Sequence, residues 1–350
     1  MKRIIVFLLL FSFLLVPINS TAFTGLLKFF RTPVKTFLLR NGWKIIKQIS
    51  KSSLNLLNDK IESYNQAVDA FETKNYRFAL KIFKQLADLG IPEAQYNLGF
   101  MFQHGTGVDA DWKQAASWYL KAAINGLAVA QHDIGICYYH GNGIEQSYDK
   151  AIEWMKKSAE QNYSPAQYNL GAMYYSNEAI TQDLEESFAW HSKSAKNNDT
   201  EASYRSQYNL GWAYETGSGV SKNLKLASDW YLKASNNNIA RAQSKMAEFF
   251  YKGTGADQDY AKSIYWAKKA AEQGSVNGYY WLGMCYENGN GIEKDLVNAY
   301  KFFYLAAKLD KNPEEDRDRV KPQLSKEQLR EAENLISKWE SISRQCFGCD

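Results

Sequence analysis

Four histidines are the residues of this chain best suited to acid–base or metal chemistry: His104, His132, His140 and His191. His132 and His140 are eight residues apart in a helical pattern, which separates them by about 12 Å along a helix axis, too far to share a metal ion. His104 and His140 hold equivalent places in two repeats defined below, where they could form a metal or proton site or serve as ordinary polar groove residues. No Ser-His-Asp pattern accompanies them. The sequence therefore predicts no catalytic residues, no metal and no cofactor.

Cysteine chemistry is concentrated in the segment Cys346-Phe-Gly-Cys349. A redox-active C-x-x-C in a thioredoxin-like fold follows a strand and begins a helix, whereas this one follows a predicted helix. An oxidising compartment would favour a disulfide between Cys346 and Cys349 or an intermolecular link, and we favour these over redox catalysis. Cys137 and Cys285 are predicted to be buried thiols.

Paired glycines recur in five places and invite comparison with phosphate-binding loops. A P-loop requires G-x-x-x-x-G-K-[ST] after a strand, but that motif is absent and each pair stands between two helical patterns. The pairs are therefore predicted to make tight turns with positive φ. They are Gly105 and Gly107, Gly141 and Gly143, Gly217 and Gly219, Gly253 and Gly255, and Gly289 and Gly291.

These glycine turns belong to six repeats, spaced by 36 residues except for the third, which spans 40. Apolar residues recur at helical spacing on both sides of each turn, which predicts a pair of helices per repeat. A glycine inside the first helix, such as Gly99 or Gly211, costs about 1 kcal/mol relative to alanine, so its recurrence indicates close approach by the second helix. The second helix should end at Gly126, Asn162, Asn198, Asn238 or Gly274, residues that tolerate a left-handed cap. The repeats are residues 94–129, 130–165, 166–205, 206–241, 242–277 and 278–313.

The first repeat reads AQYNLGFMFQHGTGV and then AASWYLKAA, and a chain built from such units resembles the Sel-one-like repeat (SLR) family. The resemblance implies an all-α, right-handed superhelix, a solenoid of helix pairs related to tetratricopeptide repeat proteins. It also implies a non-enzymatic scaffold or adaptor whose concave face binds another protein or a peptide. A cysteine-rich subgroup of that family is linked to β-lactam binding, but this chain lacks a Cys pair in each unit. A β-lactam-binding hydrolase is therefore the weaker alternative.

By the same resemblance, side chains of the first helices line the concave face and bind the partner. The alternative is that half of them only pack between units. The third repeat departs from the pattern at Asn177 and Ala179 and carries an insertion near 199–204, where the array is expected to bend or to present a loop. The predicted exposed binding residues are Tyr96, Asn97, His104, His132, Asp133, Tyr139, His140, Tyr168, Asn169, Tyr175, Tyr208, Asn209, Trp212, Tyr251, Tyr280, Trp281 and Glu287.

Both flanks of the array carry helical patterns. Residues 61–93 resemble the degenerate helix pair that opens such arrays. In residues 314–350, a capping box of Ser325 and Gln328 precedes a one-sided apolar stripe that is predicted to seal the last repeat, followed by the C-x-x-C tail.

Residues 1–22 have the form of a secretory signal peptide: Lys2 and Arg3, a short apolar run over Ile4–Val16, and small residues before a cleavage point after Ala22. An uncleaved anchor is the alternative. The mature protein is thus expected to be exported, and therefore periplasmic or secreted. For an exported bacterial protein, the resemblance to the Sel-one-like repeat family implies a role in envelope signalling, secretion or host interaction. The net charge of +4 gives no indication of a nucleic-acid partner.

Residues 23–60 carry eight basic residues and one acidic residue among many large apolar side chains. Such a segment can form an amphipathic helix on an anionic membrane. An extra helix pair packed on the first repeat and a disordered leader are the other interpretations, and a membrane-surface protein acting through this segment is the runner-up function.

Overall fold

The computed structural model describes residues 51–176, 178, 180–310 and 313–347. The chain forms two compact units, residues 1–154 and 155–350, each of which is described by itself. Throughout the described residues the secondary structure is helical, and within each unit neighbouring helices pack against each other. The predicted all-α solenoid of helix pairs is confirmed.

Six helices begin among the described residues of the first unit. The first of them runs across residue 60, so residues 51–60 are continuous with the helix pair that precedes the repeats. The helices are α1 (Lys51–Glu72), α2 (Tyr76–Asp88), α3 (Pro92–His104), α4 (Trp112–Ile124), α5 (Ala128–His140) and α6 (Tyr148–Glu160), the last of which continues past residue 154.

Ten α-helices begin among the described residues of the second unit, together with a 3-10 turn at Lys321–Gln323. The helices are α7 (Ser164–Ser176), α8 (Leu184–Asn197), α9 (Glu201–Thr216), α10 (Leu224–Asn236), α11 (Ala240–Lys252), α12 (Tyr260–Glu272), α13 (Val276–Asn288), α14 (Leu296–Leu309), α15 (Glu314–Val320) and α16 (Lys326–Phe347). No helix within the described ranges combines the length and the apolar character that crossing a membrane requires.

The glycine turn of the fourth repeat shows why two glycines are needed. Gly217 ends α9 in the left-handed region at φ 84°, and its N–H donates to the carbonyl oxygen of Ala213 at 2.8 Å. Gly219 also has positive φ, and a Cβ there would clash with the carbonyl oxygen of Leu184 at the start of α8. The second glycine therefore lets the turn of one repeat touch the preceding repeat.

Within a repeat, the glycine of the first helix makes room for a ring on the second. A Cβ added to Gly211 would lie 2.5 Å from the ring of Tyr231, which is fully buried. The fifth repeat replaces this pair with Ala247 and Ala267, both fully buried. The pair of a glycine and a tyrosine and the pair of two alanines both fill the space between the two helices. This confirms the close approach expected from the sequence.

Second helices end where the sequence predicted. Asn162, Asn198 and Asn238 adopt φ values of 68°, 50° and 63°, and Gly126 and Gly274 are left-handed as well. These residues close the last helical turn without the steric cost that other side chains would meet.

A buried glutamine connects successive repeats, a role that the sequence analysis did not assign. Gln243 of α11 is 1% exposed, and its Nε2 donates to the carbonyl oxygen of Ser235, near the end of α10, at 3.3 Å. Its Oε1 accepts from Gln273 at 2.7 Å. Gln207 makes the equivalent contacts with Ala195 and Asn237. The signal was present in the recurring Ala-Gln pair, which was read only as part of the family pattern.

The insertion near 199–204 extends a helix, so the loop expected there is wrong. Asn177 and Ala179, the other departure in the third repeat, lie outside the described residues, and the expected bend stays a prediction. Helix α9 has 16 residues, compared with 13 in α7 and α11. Thr200 and Ser203 form a capping box at its start. Because these side chains satisfy the free N–H groups of the first turn, the extra residues are stable as helix.

The end of the array is covered by α16. Ser325 and Gln328 exchange the two hydrogen bonds of a capping box, at 3.0 and 3.2 Å. Ala332 is fully buried and Ile336 is 6% exposed. Trp339 donates from Nε1 to the hydroxyl of Tyr279 at 3.2 Å, at the repeat position that Gln243 holds in the preceding repeat.

Candidate partner-binding face

One row of tyrosines on the first helices has the same environment in each repeat where it occurs. In the second unit, Tyr168 lies against His191 with ring centroids 5.6 Å apart, Tyr208 against Tyr231 at 5.5 Å, and Tyr280 against Phe303 at 6.0 Å. Each of the three tyrosines is half-buried. One side of every ring therefore packs on the second helix while the remainder stays accessible.

The first unit places its predicted residues in a polar cluster. Tyr96 packs against Tyr119 with centroids 5.3 Å apart, and its hydroxyl donates to Asp133 Oδ2 at 3.0 Å. Asp133 Oδ1 lies 2.6 Å from Nδ1 of His132. Asn97 donates to the hydroxyl of Tyr64 at 3.0 Å. These contacts hold the side chains of α3 and α5 in fixed positions.

His104 and His140 are both exposed. The ring of His104 lies 4.3 Å from Phe100, and that of His140 lies 4.9 Å from Tyr139. No group of three or more potential metal ligands occurs among the described residues. The two histidines therefore present imidazole rings supported by neighbouring aromatic side chains.

A charge network occupies the same face in the fourth and fifth repeats. Lys245 Nζ lies 3.0 Å from Glu215 Oε1 and 3.2 Å from Glu248 Oε2, while Glu248 also binds Lys252 at 2.7 Å. Partial burial opposes ionisation of Glu248, but Lys252 and Lys245 outweigh that effect and lower its pKa. Tyr231 donates to Glu215 Oε2 at 2.6 Å. Burial, reinforced by Glu215, raises the pKa of Tyr231. The network is charged, with both signs present.

Two residues predicted to be exposed are buried. Trp281 is 7% exposed because its ring packs on Tyr251 and Tyr280, each with a centroid distance of 5.0 Å. Glu287 is 8% exposed because Arg319 of α15 reaches over it and forms an ion pair. The helix that follows the last repeat thus covers Glu287, at a position that remains open in earlier repeats, and neighbouring rings cover Trp281.

A cavity of about 390 Å³ lies between the third repeat and the first helix of the fourth. Tyr175, Tyr208, Asn209 and Trp212, all predicted binding residues, line it together with His191. Tyr175 is 43% exposed, and its ring meets Trp212 edge-on at 5.3 Å. The cavity brings together residues that the sequence placed only along a common face.

His191 lies at the base of this cavity and is 5% exposed. Its Nε2 lies 3.1 Å from Asn209 Nδ2 and its Nδ1 lies 3.4 Å from Ser206 Oγ. Burial lowers the pKa of His191 to about 4, so the ring is neutral at pH 7. The sequence analysis treated this histidine only as a candidate for acid–base or metal chemistry.

Two cysteine thiols lie among the described side chains, and both are buried and poorly reactive. Cys137 and Cys285 are buried, as predicted, and burial raises their pKa values to about 12 and about 11. The predicted signal peptide and most of the basic segment 23–60 lie outside the described residues, as do Cys349 and the side chain of Cys346. The predictions made for them stay predictions.

The sequence profile of the Sel1 repeat matches seven segments of this chain, including one before the six repeats described above. The chain belongs to the Sel1 repeat family. Sel1 repeat solenoids are typically scaffolds for protein–protein interaction. The matched segments are residues 70–91, 92–127, 128–163, 164–199, 205–239, 240–275 and 276–311.

Two solved structures are similar over most of this Sel1 repeat chain. A Sel1 repeat protein from Oxalobacter formigenes is 30% identical with a TM-score of 0.62, covering 71% of this chain and 100% of that one. A protective antigen present in uropathogenic Escherichia coli strains is 26% identical with a TM-score of 0.55, covering 82% of this chain and 70% of that one.

Curated relatives match over short stretches. DAP3-binding cell death enhancer 1 of Rattus norvegicus is 29% identical over 82 residues, which is 23% of this chain and 16% of that protein. A chitin synthase regulator of Saccharomyces cerevisiae is 37% identical over 59 residues, which is 17% of this chain and 8% of that protein. The chain thus spans less than a fifth of either relative.

Proposed function

We propose that this Sel1 repeat protein is an exported, non-enzymatic scaffold that binds an extended segment of a partner protein, in the bacterial envelope or in contact with a host. The observation that carries the proposal is the tyrosine row of the second unit, formed by Tyr168, Tyr208 and Tyr280, together with Tyr96, which has the same environment in the first unit. Each ring is supported from one side by the second helix and left accessible on the other. Tyrosine supplies a large contact area at low conformational cost, so it is favoured at binding hot spots.

The electrostatics of the face favour a protein partner over a nucleic acid. The carboxylates of Glu215 and Glu248 are balanced by the ammonium groups of Lys245 and Lys252, whereas nucleic-acid sites collect positive charge against phosphate. A polypeptide can complement mixed charges with its own side chains and backbone. The face is therefore suited to polar contacts around aromatic anchors.

Export is supported by the predicted signal peptide in residues 1–22. The similarity to a protective antigen of uropathogenic Escherichia coli supports a role in host contact. Sequencing the amino terminus of protein recovered from the periplasm or medium tests this part. The mature chain should begin at Phe23 or within a few residues of it, and a chain that retains Met1 contradicts cleavage.

The binding face is tested by photo-crosslinking in the native host. A crosslinking phenylalanine analogue replaces Tyr208 on the tyrosine row or Tyr265, a 52% exposed ring on the second helix α12. We expect a defined crosslinked partner from position 208 and none from position 265. Equal crosslinking at both positions, or at neither, would contradict the proposed face.

Affinity for that crosslinked partner is then measured with Tyr168→Ala and Tyr208→Ala. An aromatic anchor contributes about 2 kcal/mol or more, so each change should weaken binding by about thirtyfold. Because these rings also pack against the second helices, a destabilising variant is needed as a control. Ser263→Ala removes a buried hydroxyl bond to the carbonyl oxygen of Ala247 at 2.9 Å in the fifth repeat, which contributes no tyrosine to the row, and it should bind normally. Weak binding by this control would assign the loss to unfolding.

A further inference from the structure

The third repeat is the only one of the six in which two neighbouring positions both lack a bulky side chain. At the first position His191 replaces the larger rings of Tyr119, Tyr231 and Phe303, whereas the second and fifth repeats carry Met155 and Ala267 there. Ala172 of α7 is smaller than every residue at its equivalent position. Those residues are Phe100, Ile136, Trp212, Glu248 and Met284.

Both small residues border the same space. Ala172 and His191 line the cavity of about 390 Å³ described above. In the fourth repeat, the hydroxyl of Tyr231 spans to Glu215 on the first helix at 2.6 Å. The equivalent pair in the third repeat is His191 and Tyr175, and the imidazole carries no hydroxyl to span this distance. The cavity thus follows from the side chains that the third and fourth repeats place there rather than from the fold shared by all repeats.

The walls of the cavity are aromatic and aliphatic. Phe188 and Trp212 supply ring surfaces, Tyr175 stands beside Trp212, and Leu184 and Leu210 supply aliphatic surface. A cavity of about 150 Å³ admits benzene, and ligand sites begin at about 300 Å³. A space of this volume therefore accommodates a one-ring or two-ring group, and aromatic walls favour a planar one because rings pair edge-on or offset.

The polar groups in the cavity define the charge and hydrogen bonding of the occupant. Among the described residues that line it there is no Asp, Glu, Lys or Arg, so an ion would lose its hydration without a counter-charge. Asn209 directs its Nδ2 to His191 Nε2 at 3.1 Å. The side-chain oxygen of Asn209, Oδ1, has no donor among the described residues and can accept from an O–H or N–H group.

We propose that the cavity of the third repeat binds one neutral, planar aromatic group with a single hydrogen-bond donor, namely a phenol or indole ring. Phe188 and Trp212 contact the ring faces and edges, and Asn209 accepts from the donor. The ring could be a free small molecule or the Tyr or Trp side chain of a polypeptide, since both present the same chemistry.

Isothermal titration calorimetry with indole and p-cresol tests the site on the full folded chain. We expect saturable binding with a dissociation constant of about 1 mM or tighter. Cyclohexanol, which is neutral but not planar, should bind at least tenfold more weakly. Absence of saturable binding for both aromatic probes overturns the proposal, as does equal binding of cyclohexanol.

Two variants fill the cavity from opposite sides, each with a side chain that stands at the equivalent position of another repeat. His191→Tyr introduces the side chain of Tyr119 and Tyr231, and Ala172→Phe introduces that of Phe100. Each should weaken indole binding at least tenfold. Tyr119→Phe, which loses a bond to Gln103 at 2.7 Å in the first unit, is the matched control and should bind indole normally.

Melting curves identify any variant that fails to fold, and the proposal is judged on the variant that folds. If the folded variant binds indole as well as the parent chain does, the site lies elsewhere and the proposal is wrong. N-acetyltryptophanamide and N-acetyltyrosinamide then separate the two sources. If these two compounds bind at least as tightly as indole does, the natural ligand is a peptide side chain. If their backbone amides abolish binding, it is a free small molecule.

Discussion

Asn209 Nδ2 donates to Nε2 of His191 across 3.1 Å, which leaves Nδ1 of the buried ring to carry the proton beside Ser206 Oγ. The Asn209 donor cannot bond a doubly protonated ring in this way. Burial and this contact both favour the neutral imidazole.

The second unit should therefore lose stability in mild acid. The pKa of His191 is about 4 in the folded chain, against 6.5 when unperturbed, so the unfolded chain takes up a proton first as the pH falls. The free energy of unfolding that depends on a neutral His191 is fully present above about pH 6.5 and is lost as the pH falls toward 4. It amounts to at most about 3 kcal/mol. Urea unfolding at a series of pH values measures it.

His191→Tyr is the control for this pH dependence, because tyrosine does not titrate between pH 4 and 6.5. Stability of the variant should fall less steeply over that interval. Parallel curves for the parent chain and the variant would show that other groups cause the acid sensitivity.

Gly211 and Tyr231 should show strong energetic coupling. Gly211→Ala inserts a Cβ 2.5 Å from the ring and should destabilise the chain by about 1–3 kcal/mol. Tyr231→Ala opens a cavity and should cost about 3–5 kcal/mol. The double variant reproduces the Ala247 and Ala267 pair of the fifth repeat, so it should be more stable than the sum predicts. A double-mutant cycle by urea unfolding gives the coupling, and additivity within about 0.5 kcal/mol would refute it.

Gln243→Ala should destabilise the second unit by about 1–3 kcal/mol. The change removes two hydrogen bonds, from Gln243 to the carbonyl oxygen of Ser235 and from Gln273 to Gln243, each of which contributes about 0.5–1.5 kcal/mol. Gln258→Ala is the matched control, since Gln258 is exposed and donates only to the Tyr251 carbonyl oxygen. Denaturant midpoints should separate the two variants, and equal midpoints would mean that the buried amide does not stabilise the repeat junction.

Arg319→Ala should destabilise the end of the array by about 2 kcal/mol, because it leaves the carboxylate of Glu287 buried and unpaired. Adding Glu287→Gln should recover part of the loss by removing the charge. Arg205→Ala breaks an exposed pair with Glu201 and should change stability by less than about 0.5 kcal/mol. Thermal melts of the three proteins test the difference, and a similar loss for Arg205→Ala would argue against a special role for burial.

The sequence by itself determined the repeated local structure. Gly217 follows α9 with positive φ, and Asn162, Asn198 and Asn238 take the left-handed conformation expected at the ends of second helices. Ser325 and Gln328 form the capping box that their spacing predicted. Such features depend on residues a few positions apart, and because they recur in several repeats they could be predicted from one sequence.

Only the tertiary structure decided which side chains of the common face stay accessible. Trp281 and Glu287 share repeat positions with open residues, but α15 and neighbouring rings bury them. The space beside His191 exists because Ala172, on another helix, is small as well. Burial and cavities depend on the volumes of side chains that come from segments distant in the chain. Whether a space between helices is filled or left open depends on the sum of those volumes. A periodic pattern records the position of each residue but not the sum of the volumes around it.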